Sequence, residues 1–102
     1  LQVYSDAEGW ADAPWQPGAL TVNIGDLLEY WSGRRWPSGR HRVLPPQPHA
    51  PEEDLVSLIY FYEANHDALI TPLGPPIGTV SGLAPVVSSE FIKERLDAIT
   101  VG

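Results

Sequence analysis

Hydrophobic positions along this chain fall in short runs cut by turn residues. Leu1 to Tyr4 alternates apolar and polar residues, as a strand with one covered face does. Asp6 to Gly9 is turn material, and Trp10 to Trp15 reads as a second short strand. Pro17-Gly18 predicts a turn, because proline presets one central position and glycine accepts positive φ at the next. Ala19 to Ile24 follows as a strand rich in β-branched residues. Asp26 stands where a cap would start one helical turn over Leu27 to Trp31, closed by Gly33. His41 to Leu44 reads as a short strand stopped by Pro45-Pro46, and Pro45 to Asp54 as an exposed loop rich in proline and acid. The longest apolar run, Leu55 to Tyr62, predicts a central strand, and Ala68 to Thr71 another. Pro72 to Val87 holds four prolines and three glycines and is expected to cross the surface as an extended tail. The helical repeat takes over at the end. Ser88 or Ser89 caps a helix from Glu90 to about Ile99, with Ile92, Leu96 and Ile99 on one face.

Many short strands between turns predict a mainly β fold, an antiparallel sandwich or barrel, with a C-terminal α-helix. The strands occupy roughly residues 1–71, the tail 72–87 and the helix about 89–99 of a single domain. Five or six strands are fewer than a closed jelly roll needs, so open edges are expected, with self-association or pairing to a missing half as the outcome.

Composition narrows the function. At 43% apolar residues with four Trp, four Tyr and two Phe, the chain is too hydrophobic to be disordered. A net charge of −7 argues against nucleic acid, whose phosphates need clustered cations. Four of the six basic residues nevertheless crowd into Arg34, Arg35, Arg40 and Arg42, which suits an ion-paired rim or a small carboxylate ligand. The absence of cysteine removes disulfides and thiolate chemistry. No apolar run is long enough to span a bilayer and no signal-peptide pattern opens the chain, so no membrane partner and a cytoplasmic location are expected. With no methionine anywhere, the natural polypeptide is expected to start elsewhere.

The order of motifs is more specific. Leu1-Gln2-Val3, the Trp10 strand, Pro17-Gly18-Ala19-Leu20 and Asn23-Ile24-Gly25-Asp26 are followed by Ser38-Gly39-Arg40-His41-Arg42-Val43. Asn65-His66-Asp67-Ala68-Leu69-Ile70 with Pro72-Leu73 and the Glu90-to-Leu96 helix complete the series. In these segments the chain resembles the C-terminal half of the iron(II)- and 2-oxoglutarate-dependent dioxygenases of the isopenicillin N synthase-like superfamily. The resemblance implies a partial double-stranded β-helix, a jelly-roll or cupin-like fold, with Fe(II) and 2-oxoglutarate as cofactors and a small organic substrate. It also implies a facial triad of two histidines and one carboxylate on the iron, in which His41 matches the distal histidine.

Two departures limit that implication. The other two ligands of the family form a His-x-Asp motif, and none of His41, His49 or His66 begins one. This chain alone is therefore expected to bind no iron and to lack the activity. The family's Arg-x-Ser, which holds the keto acid, aligns with Leu55-Val56-Ser57, keeping the serine and losing the guanidinium. Ser57 remains the candidate co-substrate contact; either Arg42 or Arg40 serves as a substitute cation, or the parent uses a different co-substrate or none. His49 and His66 read as exposed loop residues, Trp31 and Trp36 as packing, and Glu52, Glu53 and Asp54 as solvated charge. The competing reading is a non-catalytic jelly-roll binding module that has lost its iron site.

Overall fold

The computed structural model describes residues 1–52 and 56–100. They form two compact units, Leu1–Asn23 with Gly39–Tyr60, and Ile24–Ser38 with the chain from Phe61 onward.

In the first unit, β1 (Gln2–Ser5) is the middle strand of a three-stranded antiparallel sheet. Strand β2 (Gly9–Asp12) pairs with it in the register Gln2↔Asp12 through Ser5↔Gly9. The connection is tight: Gly9 takes φ 70°, and the Ser5 hydroxyl accepts a hydrogen bond from the Glu8 N–H at 3.2 Å. On the other edge β3 (His41–Arg42) pairs Gln2↔Arg42 and Val3↔His41. A further bond from the Tyr4 N–H to the Arg40 carbonyl, at 3.0 Å, lengthens this ladder.

The second unit is built on backbone meeting backbone. Helix α1 (Asp26–Trp31) ends in a Schellman motif, in which the Gly33 N–H donates to the Tyr30 carbonyl and the Arg34 N–H to that of Glu29. Gly33 and Arg34 both adopt left-handed φ, 63° and 64°. The turn then lies against the segment 73–80. Leu73 N–H donates to Trp31, and the Gly33 carbonyl accepts from the N–H groups of Thr79 and Val80 and from the Thr79 hydroxyl. Contact this close requires glycine on both sides: a Cβ on Gly33 would lie 2.7 Å from the Gly78 Cα, and both positions abut the Leu73 carbonyl. Strands β4 (Leu69–Ile70) and β5 (Val86–Val87) pair antiparallel and lead into helix α2 (Ser88–Thr100). Ser88 and Ser89 N–H groups donate to the Ala68 and His66 carbonyls, seating the helix start. Phe91 is the buried apolar side chain of the described residues, its ring tilted against that of Tyr30 at 5.2 Å between centroids, and the Tyr30 hydroxyl donates to the Ala84 carbonyl at 2.6 Å.

The sequence expectations meet this architecture unevenly. Strands at the start of the chain, the turn of helix after Ile24 and the C-terminal helix are present. The sheets are small and antiparallel, and the described residues do not close a jelly roll. Residues 19–24 form no strand. The expected central strand is absent too: Leu55 lies outside the described residues, while Val56 to Tyr62 joins no ladder and is exposed throughout. A strand exists by pairing, and apolar, β-branched residues cannot make one without a neighbour. The cap of α1 is Gly25, extended and without a side-chain bond; Asp26 falls one residue later, where its charge suits the first turn. The 72–87 segment ends in β5 rather than remaining a tail, and Ser88 is already helical.

The glycine crossing predicts a sharp contrast between substitutions. Gly78→Ala is expected to lower the stability of this unit by about 2 kcal/mol or more, and Gly33→Ala by at least as much because of its added φ strain. Gly74→Ala, with open space around it, should cost little. Urea unfolding of the three variants measures the difference.

Candidate functional site

His41 stands on β3 directly opposite Val3 of β1. Side chains alternate across a strand, so the His41 ring shares a face with Val3 and Ala11, both half-buried. The ring itself is exposed, with Nδ1 3.4 Å from the Gly39 carbonyl. With the proton on Nδ1 this long contact leaves the Nε2 lone pair outward, the arrangement in which a metal-binding imidazole is steadied by a backbone acceptor.

The opposite face is a continuous polar and aromatic layer. Asp12, Gln2 and Arg42 occupy one rung across all three strands: the Gln2 amide donates to the Asp12 carboxylate at 3.0 Å, and its oxygen accepts from Arg42 Nε at 2.9 Å. The next rung holds Tyr4 and Trp10, edge to face at 5.5 Å. The Arg42 guanidinium sits 4.2 Å from the Trp10 ring centroid, and Arg40 4.5 Å from that of Tyr4 and 5.8 Å from Trp10. Each such contact is worth about 0.5–1 kcal/mol at an exposed site.

Within the second unit, the segment that follows α1 is anchored to that helix. The Glu29 carboxylate accepts the Ser38 N–H at 2.6 Å and pairs with Arg34 at 3.3 Å. Buried Ser32 donates its hydroxyl to the Glu29 carbonyl and accepts the Trp36 N–H. The exposed ion pair adds little by itself; the carboxylate matters because it satisfies the Ser38 N–H at the end of that segment.

His41 and Arg42 were expected to serve one site, and the sheet sets them on opposite faces. Arg42 is engaged by Gln2 and Trp10, and Arg40 by the same aromatic pair. Ser57 is exposed in the unpaired run after the undescribed Leu55. His49 lies in the proline loop. His66 borders an open cavity of ≈ 320 Å³ along α2, with Ser89, Lys93 and Asp97, and His41 does not line it. Among the described residues no three His, Asp or Glu side chains gather into a metal-holding group. His41 is a single donor, so the residues present do not make up an iron site by themselves. Sequence reasoning passed over Gln2, Tyr4 and Trp10 as neighbours of the arginines; their alternation within two facing strands is the signal that carries them.

A family model described as the 2OG-Fe(II) oxygenase superfamily matches residues 1–64. Validamycin A dioxygenase of Streptomyces hygroscopicus subsp. limoneus is 43% identical over 101 residues, 98% of this chain and 28% of that protein. Homoarginine-6-hydroxylase 2-ODD-233 of Oryza sativa subsp. japonica is 36% identical over 99 residues, covering 94% of the chain and 29% of its own length. Gibberellin 3-beta-dioxygenase 2 of Arabidopsis thaliana is 37% identical over 73 residues, 72% of the chain and 20% of itself. The chain thus spans less than a third of the length of these curated relatives. No solved structure gives a significant match.

The Glu29 anchor generates its own test. Glu29→Ala frees the Ser38 N–H and the Arg34 side chain, and trypsin cleavage after Arg34 or Arg35 is expected to rise several-fold. Arg95, in α2, serves as the internal reference site, whose cleavage should stay constant.

Proposed function

Since the chain belongs to the 2OG-Fe(II) oxygenase superfamily, we propose that it forms the C-terminal part of a non-haem iron(II), 2-oxoglutarate-dependent oxygenase acting on a small organic substrate. The observation that carries this reading is the position of His41 within the matched residues, on a strand paired with β1 and with its Nδ1 3.4 Å from the Gly39 carbonyl. In that reading His41 supplies one imidazole ligand, and the remaining ligands lie in sequence beyond these 102 residues. The bound iron and keto acid would supply the oxidising chemistry; this chain's part is to hold one donor at a fixed angle. Ser57 is the contact proposed for the co-substrate carboxylate. Arg42, the cation expected beside it, lies on the face opposite His41 with its Nε donating to Gln2 and its guanidinium over Trp10. A partial jelly roll is the fold in which Val56 to Tyr62 would find strand neighbours. In the isolated chain, that exposed run supports self-association.

In the whole enzyme, His41→Ala is expected to reduce 2-oxoglutarate-dependent oxygen uptake by about 100-fold or more. His49→Ala and His66→Ala should remain within about twofold of the parent. Equal losses in all three variants, or none in His41→Ala, would sink the assignment. The 102-residue chain alone should show no stoichiometric ferrous binding in an anaerobic titration, and saturation at one iron that disappears in His41→Ala would contradict this. Sedimentation of the same chain should reveal concentration-dependent association that Ile59→Lys abolishes; a monomer at every concentration removes the self-association reading.

A further inference from the structure

We propose that Arg40 and Arg42 are positioning residues, a two-point clip that fastens β3 to the Tyr4–Trp10 pair and thereby holds the His41 ring on the opposite face. The proposal rests on the reading of His41 as a ligand for its purpose, though not for its geometry.

Strand β3 is two residues long and lies on the edge of its sheet, so its backbone ladder to β1 is short: the pairs Gln2↔Arg42 and Val3↔His41, extended by the bond from the Tyr4 N–H to the Arg40 carbonyl. So short a pairing is marginal without side-chain support. That support comes from the residues on either side of the histidine. Period-two alternation sends both to the face His41 leaves, where each guanidinium lies over an aromatic ring. Arg42 is fixed at a second point, since its Nε donates to the Gln2 amide oxygen and the Gln2 amide donates in turn to Asp12 on β2. The rung therefore ties all three strands together. A twist of β3 that turned His41 away from Val3 would pull both arginines off their rings and break the Gln2 bond, so several contacts oppose one rotation.

The same contacts argue against the arginines as an anion site. The rung ends in the Asp12 carboxylate, which would repel an incoming anion, and the Arg42 Nε is already bonded. Lysine would keep the charge over the ring but lose the flat stacking surface and the Nε donor.

The test uses the full chain and reads the histidine directly. In the parent, a nuclear Overhauser contact is expected between the His41 ring protons and the Val3 methyls, together with slow exchange of the Tyr4 amide that bonds to Arg40. In Arg40→Ala/Arg42→Ala the ring contact should vanish and the Tyr4 amide should exchange at least about tenfold faster, while the β1–β2 amides keep their protection. Arg40→Lys/Arg42→Lys should recover the ring contact in part, and Arg34→Ala/Arg35→Ala should change neither signal. Persistence of both signals in the double alanine variant would overturn the proposal. Should that variant lose the β1–β2 pairing as well, Arg42→Ala alone decides: a weakened ring contact with β1–β2 intact supports the clip, and an unchanged contact refutes it. Because the ring contact is read without iron, a His41→Ala enzyme with full activity would remove the ligand reading and leave the clip standing.

Discussion

Backbone must meet backbone for this chain to hold its shape, because its side chains bury so little. Among the described residues Phe91 is the buried apolar side chain, and the two fully buried ones are serines. Hydrogen bonding between main chains carries the organisation that a core would otherwise supply, and such bonds add only modestly when each group could bond water instead. Geometry then decides which are made. Gly33 and Gly78 allow two segments to approach closely enough for one carbonyl to accept three donors. In the other unit β1 plays the corresponding part, since both its edges are used and, among the described residues, β2 and β3 pair with no other strand.

The arginine cluster looks different once its members are traced. Four guanidinium groups within nine residues suggest a single cationic patch on an acidic protein. In the structure they have separate tasks in two units. Arg34 pairs with Glu29, Arg35 donates to the Ile77 carbonyl, and Arg40 and Arg42 lie on aromatic rings. Their charge is spent locally, tying a loop at one end and a strand at the other, with His41 between the last two.

Much of this was legible in the sequence where local rules suffice. Alternation found β1, turn chemistry found the β1–β2 connection, and the helical repeat found α2, each within a residue or two. The motif order around His41 points to the family, and the family match covers that segment. What local rules could not supply was pairing. Residues 19–24 and 56–62 have strand composition, yet a strand needs a partner that composition does not specify. The same gap hid the separation of His41 from Arg42. Adjacent in sequence, they are divided by a sheet whose plane becomes visible only once β1 is known to pair with β3.

The run from Val56 to Tyr62 has a further consequence for the chain in solution. It is seven residues long, without charge or proline, and rich in β-branched and aromatic side chains, the composition from which stacked fibrillar sheets are made. Acidic residues guard it on both sides, Glu52, Glu53 and Asp54 before it and Glu63 after it. Copies stacked in parallel register would bring these carboxylates together every ~5 Å along the fibre axis. Their repulsion is therefore a kinetic barrier to nucleation, and one that dissolved salt screens. Added salt would lower that barrier, while strand neighbours for Val56 to Tyr62 would remove the exposed run altogether.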